Sequence, residues 1–366
     1  MKVLYIYADN AREWNCSQHN CVNPANAINK SGVHTAKIIS LQDFIKNDKE
    51  TQKQCSEADI IVFERNFFQD SLTMIMFWWV RGKVLAGIWD DAYDRMHKKN
   101  PAYSFWEYGE MKFEDQNGVG HSAIMRPKPI VQFKHGLNLL KGAQVVSDAL
   151  CEDWKPYVDT HKIHNHLVIE NYKDVEPLYL HKDIWIGWTG SLSHRDSFES
   201  SGLLRAFRKI TSRYKNVKIL ITGDKTIYDN LDIPDTRKAY SSFVPAEQYP
   251  SLIKSLDIYT IPLYGEYDKR RSQIKPLECM ALKVPFIASN FENYNHLFEY
   301  GKFVDNSWQN WTEGISEMIE NLDKYKQRAN ESSYEYALTQ DIDLHFQERI
   351  DLYQYFIDKP YRYEEK

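Results

Sequence analysis

The sequence predicts an α/β protein made of two Rossmann-like domains that face each other across a cleft. Short apolar runs alternate with amphipathic stretches along the chain, which is typical of parallel sheets covered by helices on both faces. The length of 366 residues suits two domains of ordinary size better than a single core. Between the two alternating sets, the polar stretch Tyr172–Lys182 has few core residues and indicates an interdomain linker.

The first alternating set defines an N-terminal domain over residues 1–175. Its predicted strands are Lys2–Ala8, Ala36–Leu41, Asp59–Glu64, Lys83–Asp91, Ala143–Ser147 and His166–Glu170. Its predicted helices are Pro24–Lys30, Ser71–Arg81, Ile130–Leu140 and Ala149–Val158. The segment Arg95–Met125 interrupts the alternation, because it is rich in aromatic residues and glycine and has no clear period. Its aromatic content favours an ordered, functional loop.

The second alternating set defines a C-terminal domain over residues 176–340. Its predicted strands are Ile184–Thr189, Val217–Thr222, Tyr240–Val244, Asp257–Pro262, Val284–Ser289 and Lys302–Val304. Its predicted helices are Ser200–Tyr214, Ala246–Ser255, Ser272–Leu282, Trp308–Asn321 and Tyr325–Leu338. A last helix is predicted over Asp341–Ile357, and we expect this C-terminal segment, 341–366, to pack back across the linker.

Bulk composition narrows the class of protein. Hydrophobic residues make up 43% and charged residues 27% of the chain, and no long uncharged apolar run is present, so we expect a soluble globular protein. The start, Met1–Tyr7, predicts a strand and not a signal peptide, which favours the cytoplasm, or the host cytoplasm for a viral protein. The net charge of −5 argues against a protein that coats nucleic acid with its whole surface.

The five cysteines are scattered and odd in number, which predicts free thiols. Cys16 and Cys21 flank His19, but this spacing matches no standard zinc site, and we favour a polar loop.

The segment Arg271–Ser289 carries the sharpest chemical signal. A helix is predicted to begin near Ser272, a good N-cap residue, and its first turn offers backbone N–H groups together with the ammonium of Lys275. This combination suits a pyrophosphate. Glu278 follows Lys275 by one helical turn and can face the same side, toward ribose hydroxyls. The alternative is an ordinary amphipathic helix before a buried strand.

Two further strand ends add basic and small residues. The run Ile186–Arg195 passes from a strand into a turn with Gly190 and Ser191, followed by His194 and Arg195, where backbone and cations can approach phosphate. A second strand ends at Gly223 with Lys225 beside it. A phosphate contact and an exposed lysine are equally good interpretations of Lys225.

The segment Arg271–Ser289 resembles the donor motif of the retaining family 4 glycosyltransferases, which have the GT-B architecture. In that motif a glutamate is followed, after seven residues, by a second glutamate and then by a proline-led strand. Glu278 matches the second glutamate, which in the family contacts the donor ribose. Arg270 occupies the first position, which is a departure, and Glu266 or Asp268 could supply the acidic sugar contact instead. Lys275 with Ser272 resembles a divergent branch of the superfamily in which a lysine precedes the glutamate.

The run Ile186–Arg195 resembles the family's phosphate-binding loop, and the stretch from Ser242 to Leu263 resembles its base-binding part. The resemblance implies a UDP- or GDP-linked sugar as co-substrate, no cofactor or metal, and transfer with retention. Lys275 and Arg195 are then the candidates for stabilising the leaving diphosphate. Residues 176–340 would be the donor domain and residues 1–175 the acceptor domain.

Acidic residues at the end of a predicted central strand are the candidates for acceptor chemistry. Asp90, Asp91 and Asp94 follow this strand, and we predict that Asp91, with Asp90 behind it, positions the acceptor hydroxyl. Helix capping by aspartate explains them equally well. Tyr93, Trp106 and His135 are further candidates for acceptor binding, although a histidine on a helix is more often structural.

The identity of the acceptor stays open. Within Arg95–Lys141, basic residues are interleaved with aromatic ones; they are Lys98, Lys99, Arg126, Lys128, Lys134 and Lys141, among Tyr103, Phe105, Trp106, Tyr108 and Phe113. This pattern suits DNA with an extruded hydroxymethylated base, and carbohydrate stacking explains it equally well. We prefer a polar soluble acceptor to a membrane lipid. A nucleotide-sugar epimerase and a non-catalytic nucleotide-sugar-binding protein are the alternatives of another class.

Overall fold

Two parallel six-stranded sheets form the framework of the protein in a computed structural model, which describes residues 1–8, 15–115 and 118–360. The chain divides into two compact units. Unit 1 contains the described residues up to Asn165 together with Ile342–Pro360, and unit 2 contains His166–Asp341. None of the described helices is long and apolar enough to cross a membrane.

Unit 1 has the sheet order β2-β1-β3-β4-β7-β8, and an antiparallel hairpin, β5-β6, stands outside that sheet. Its strands are β1 (Lys2–Tyr7), β2 (Thr35–Ser40), β3 (Ile60–Glu64), β4 (Val84–Trp89), β5 (Glu110–Glu114), β6 (Gly120–Ile124), β7 (Gly142–Val145) and β8 (Thr160–Lys162). Its helices are α1 (Asn23–Lys30), α2 (Leu41–Lys46), α3 (Lys49–Glu57), α4 (Gln69–Val80), α5 (Tyr103–Tyr108), α6 (Pro129–Leu137), α7 (Asp148–Trp154) and α17 (Ile342–Asp358).

The C-terminal helix α17 completes the core of unit 1. Tyr353 and Phe356 of this helix are fully buried, and the hydroxyl of Tyr353 lies 3.0 Å from that of Tyr5 on β1. Phe356 packs so closely on Gly142 that a Cβ atom there would collide with its ring. The predicted C-terminal helix therefore forms part of unit 1, while residues 361–366 lie outside the described residues.

Unit 2 has the sheet order β11-β10-β9-β12-β13-β14, with every pair parallel. Its strands are β9 (Ile184–Gly190), β10 (Val217–Gly223), β11 (Lys238–Ser241), β12 (Ile258–Ile261), β13 (Phe286–Ser289) and β14 (Lys302–Val304). Its helices are α8 (Arg195–Ser200), α9 (Leu203–Arg213), α10 (Lys225–Asn230), α11 (Tyr249–Lys254), α12 (Gly265–Asp268), α13 (Ile274–Ala281), α14 (Trp308–Glu320), α15 (Leu322–Arg328) and α16 (Tyr334–Leu338).

The two sheets reverse their strand order at different places. In unit 1 the first strand, β1, lies between β2 and β3, and in unit 2 the first strand, β9, lies between β10 and β12. Open parallel sheets bind ligands outside the carboxyl ends of their strands, next to such a reversal. These carboxyl edges are therefore where each unit is expected to bind a ligand.

The structure corrects several predicted elements. No strand forms over His166–Glu170, where the chain makes a 3-10 turn, Ile169–Tyr172, and β8 is the sixth strand instead. The segment Arg95–Met125 is not one irregular loop, because it contains α5 and the hairpin β5-β6. The helix predicted over Tyr325–Leu338 is divided into α15 and α16 by a π turn at Ala329–Ser333. Tyr172, placed at the start of the predicted linker, is buried in the core of unit 2.

Candidate functional site

Two glycines bring the ends of β9 and β10 together at the carboxyl edge of unit 2. Gly223 has a φ of 95°, which side chains rarely adopt, and a Cβ atom there would collide with the carbonyl oxygen of Gly190. The next residue, Asp224, donates its backbone N–H to the same carbonyl at 3.1 Å. Gly190 and Gly223, both named from the sequence, thus lie in close contact where β9 and β10 end.

Lys275 joins helix α13 to this edge. The residue lies in the first turn of α13, and its Nζ donates to the carbonyl oxygen of Thr189, the last residue but one of β9, at 2.6 Å. This contact places the lysine beside the carboxyl end of β9, and its predicted role toward a pyrophosphate stays a prediction. Its ammonium lies where a helix N-terminus and a strand carboxyl end meet.

His194 lies between two cations. Nη1 of Arg271 lies 2.7 Å from Nδ1 of His194, and Nη2 of the same arginine donates to Ser193 Oγ at 3.1 Å. Burial lowers the pKa of His194 well below its usual value, and the charges of Arg271 and Lys275 lower it further. His194 is therefore a neutral imidazole next to two fixed positive charges.

The two predicted serines have different surroundings. Ser191 is exposed, and its hydroxyl lies 3.2 Å from that of Ser193. Ser272 does not occupy the N-cap position of α13, because the helix begins at Ile274 and Gln273 is the capping residue. The hydroxyl oxygen of Ser272 is 3.5 Å from the backbone nitrogen of Ile274, too long for a strong cap.

Arg195 and Lys225 are both paired with nearby aspartates. Arg195 makes two hydrogen bonds to the carboxylate of Asp224, at 2.9 and 3.0 Å, and a third to Thr226. Lys225 is exposed and bonds to Asp229, one turn further along α10, at 2.6 Å. Arg195 thus holds the end of β10 and Lys225 lies on the surface of α10, while a phosphate contact by either residue stays a prediction.

Glu278 lies below the surface of unit 2. The residue is 1% exposed, and Tyr172 donates its hydroxyl to Glu278 Oε1 at 3.4 Å. Burial raises the pKa of Tyr172 well above its usual value, and the charge of Glu278 adds to the effect. A ribose contact by Glu278 stays a prediction, since the carboxylate is covered in this structure.

The two acidic residues considered as substitutes for the first motif glutamate are both paired with arginines. Arg270 bonds to the side chain of Glu266 at 2.9 Å and to its carbonyl at 2.8 Å. Asp268 is fully buried, and one of its oxygens lies 3.0 Å from Nε of Arg271. Arg271 was not predicted as a site residue. The pair Arg270-Arg271 directly before the motif was the signal in the sequence.

The carboxyl edge of unit 1 is lined by carboxylates. Asp90 and Asp91 follow β4, as predicted, and Glu64 ends the neighbouring β3. Glu64 is buried and accepts hydrogen bonds from Ala8 N at 2.8 Å and from Asn20 Nδ2 at 3.1 Å, as well as from Ser17. Sequence reasoning missed Glu64, although it is the one charged residue of a strand that is otherwise entirely apolar.

Asp90 is the more buried of the two aspartates after β4. Burial, followed by the charge of Asp91, raises the pKa of Asp90 to about 6. The residue is 9% exposed, whereas Asp91 is half-buried. Two carboxyl groups in unlike surroundings can divide the tasks of holding and accepting a proton.

Two predicted acceptor residues prove to be core residues. Tyr93 and Trp106 are both buried, and their rings stack 4.2 Å apart at an interplanar angle of 16°. Both rings pack on Phe133, at 5.3 and 5.8 Å. Their rings are therefore packed within unit 1, and acceptor binding by either residue stays a prediction. His135 is exposed on α6.

The basic residues of Arg95–Lys141 have mixed surroundings. Lys98 and Lys99 are exposed. Arg126 donates to the carbonyl of Tyr108 at 2.8 Å, and Lys128 pairs with Glu107 at 2.9 Å. The hairpin β5-β6 exposes Phe113, with 52% of its surface accessible. The interleaved basic and aromatic residues are thus distributed over α5, the hairpin β5-β6, α6 and the turns beside them.

Comparison with known proteins identifies the fold class of the two units. The two α/β units have the GT-B fold. Sucrose-phosphate synthase from Thermosynechococcus elongatus shares it with a TM-score of 0.66 at 10% identity, over 98% of this chain and 99% of that one. HepE from Anabaena, solved with UDP and glucose, gives a TM-score of 0.64 at 14% identity, over 97% and 99%.

The fold alone does not fix the reaction. A protein described as a UDP-N-acetylglucosamine 2-epimerase, from Listeria monocytogenes, also matches, with a TM-score of 0.58 at 10% identity over 98% of both chains. Curated protein sequences give no match. Residues 183–321, however, match the family profile described as glycosyl transferases group 1. Unit 2 therefore contains a glycosyl transferase group 1 domain, and the chain is a glycosyltransferase.

Proposed function

We propose that this glycosyltransferase moves a sugar from a UDP- or GDP-linked donor to an acceptor hydroxyl, with retention of configuration and without a metal ion. The observation that carries the proposal is the grouping of Lys275, His194 and Arg271 at the carboxyl edge of the group 1 domain. Positive charge at a helix N-terminus and a strand reversal suits a nucleoside diphosphate. HepE, one of the proteins of similar fold, was solved with UDP.

The chemistry assigned to the donor edge is electrostatic. Breaking the bond between the sugar and the diphosphate leaves negative charge on the phosphate oxygens, and fixed cations stabilise that charge most where water is excluded. Lys275 is the leading candidate, because its Nζ is held at the end of β9 by Thr189. Ser191 and the backbone of the adjoining loop complete the proposed phosphate site, and Glu278 the proposed ribose site.

The acceptor is proposed to bind at the carboxyl edge of unit 1. Asp91 is the more exposed of its two aspartates and is assigned to the acceptor hydroxyl, with Asp90 behind it. The carboxylates Glu64, Asp90 and Asp91 make this edge unfavourable for a polyanion. We therefore propose a carbohydrate or another neutral hydroxyl compound as acceptor, in preference to DNA.

The experiment is a donor and acceptor screen with the full chain. UDP- and GDP-linked hexoses and pentoses are incubated with sugars, polyols and duplex DNA containing hydroxymethylated bases, in the presence of EDTA. We expect transfer to a hydroxyl compound, and NMR of the purified product should show the anomeric configuration of the donor. Inversion, or activity that requires added Mn²⁺ or Mg²⁺, would contradict the proposed mechanism.

Two outcomes would replace the proposed function altogether. Epimerisation or hydrolysis of the nucleotide sugar with no acceptor dependence would favour the epimerase class. Binding without turnover for every donor would favour a non-catalytic binding protein. Transfer to DNA that falls steeply with added salt would keep the enzyme class and change the acceptor, because phosphate contacts release counterions.

A further inference from the structure

We propose that Arg271, and not Arg195, is the arginine on which binding of the donor diphosphate depends, and that it acts by positioning the loop Ser191–His194. This inference rests on the proposed function. The two arginines belong to the same unit and lie near the carboxyl edge of its sheet. Each is paired with an aspartate, but their other contacts are with different segments.

Arg271 connects three loops that follow strands β9, β12 and β13. Its guanidinium contacts Ser193 and His194 of the first loop, and Tyr267 of the second at 3.0 Å. Its backbone carbonyl accepts a hydrogen bond at 3.0 Å from Asn293, which lies in the third loop. Nη1 and Nη2 both have hydrogen-bond partners and Nε lies 3.0 Å from Asp268 Oδ1, so the side chain is held in one orientation.

Asp268 holds Arg271 in place through an ion pair. The carboxylate is fully buried and receives hydrogen bonds from Tyr264 N at 2.7 Å and from Ser197, in addition to its ion pair with Arg271. These contacts fix the position of the Asp268 carboxylate. It therefore fixes Arg271 against the loop that carries Ser193 and His194.

Arg195 has the contrasting arrangement. Its guanidinium points to Asp224 and Thr226, both at the start of α10. Its ion pair with Asp224 lies at the end of β10. Arg271 is also paired with a carboxylate, that of Asp268, but its Nη1 and Nη2 atoms reach His194 and Ser193 of the loop where the proposed diphosphate binds. The side-chain contacts of Arg271 thus hold that loop, whereas those of Arg195 hold the start of α10.

The test compares two matched double variants that replace each ion pair by uncharged residues of similar shape. D268N/R271Q removes the first pair and D224N/R195Q the second, which avoids leaving a buried carboxylate without its partner. A single R271K variant keeps the charge but loses the planar group that spans Ser193 and Tyr267. Circular dichroism and thermal melting check that each protein is folded.

Affinities for UDP and for uridine are measured by calorimetry or by ligand-observed NMR. We expect D268N/R271Q to lose at least about ten-fold in UDP affinity with little change for uridine, as a lost contact to a charged group implies. R271K should lie between this variant and the parent chain. D224N/R195Q should keep the parent's ratio of UDP to uridine affinity, even if its melting temperature falls.

Two results overturn the inference while the proposed function stands: an unchanged UDP to uridine ratio in D268N/R271Q, or a ten-fold loss in D224N/R195Q alone. If D268N/R271Q does not fold, R271K decides, because parent-like UDP affinity in it also overturns the inference. A parent chain that binds no nucleoside diphosphate, UDP and GDP included, overturns the proposed function and the inference together.

Discussion

The carboxyl edges of the two sheets carry different side chains, with carboxylates in unit 1 and two cations beside a neutral imidazole in unit 2. In unit 1, the ends of β3 and β4 present Glu64, Asp90 and Asp91, and in unit 2 the ends of β9 and β12 lie near His194, Arg271 and Lys275. Both sheets are parallel and six-stranded, so strand topology does not account for the difference. The same scaffold can therefore bind chemically different ligands through the few residues that follow its strands.

The largest effect is expected from removing the cation of the donor edge. K275A should lower kcat/KM for transfer by roughly 10²- to 10³-fold, the scale seen when one group that stabilises a developing anion is lost. Release of the nucleoside diphosphate, measured over a range of donor concentrations, checks this. The matched control is K225A, since Lys225 is exposed and paired with Asp229. Similar kinetics for both variants would contradict the proposed role of Lys275.

A substitution in the stacked pair of Tyr93 and Trp106 distinguishes a role in core packing from a role in acceptor binding. W106A should lower the free energy of unfolding by about 3 to 5 kcal/mol, as for other buried aromatic residues, because Trp106 stacks on Tyr93. Urea denaturation gives the value. A stable W106A protein with a raised KM for the acceptor would restore Trp106 to the acceptor site.

The contributions of Asp90 in unit 1 and of His194 in unit 2 to the free energy of unfolding should depend on pH in opposite directions. The pKa of Asp90 is raised to about 6 in the folded protein, so its contribution to stability is lost as pH rises from about 4 to 6. The pKa of His194 is lowered, so its contribution is lost as pH falls below about 6.5.

Replacing each group should flatten the corresponding part of the pH profile of unfolding free energy. We expect D90N to change the slope between pH 4 and 6, on the order of 2 kcal/mol in total, and H194Q to change it below about pH 6.5. Urea titrations at several pH values measure both. Parallel profiles for the parent and both variants would show that neither group titrates as its burial implies.

The smallest effect is expected at the exposed lysines of unit 1. K98E/K99E should leave donor affinity unchanged and should alter transfer to a neutral acceptor by less than about two-fold, because screened surface charges contribute little. Transfer rates at low and high salt check this. Loss of transfer to hydroxymethylated DNA, with a steep salt dependence in the parent, would favour a nucleic-acid acceptor instead.

Periodic elements and strand ends could be predicted from the sequence, but the pairing of side chains that are distant in the chain could not. Most strands of unit 2 were predicted well because they are short apolar runs, of which Ile184–Gly190 and Val217–Gly223 also end in glycine. Arg195 and Asp224 are 29 residues apart in the chain, and no local pattern shows that they pair. The strand order, which sets where each sheet reverses, likewise depends on contacts between distant segments. The burial of Tyr93 and Trp106 could not be predicted, because an aromatic side chain suits a core and a sugar equally well.

The position of α17 has a consequence for the order in which the protein folds during synthesis. The ribosome makes all of unit 2 before Ile342, so unit 2 can fold while the core of unit 1 still lacks Tyr353 and Phe356. Until α17 emerges, the face of the sheet that carries Tyr5 and Ile88 is covered only in part, by residues such as Ala25 and Ile28 of α1. Unit 1, although it begins the chain, is then the last part to reach its final packing and the part most exposed to chaperones and proteases.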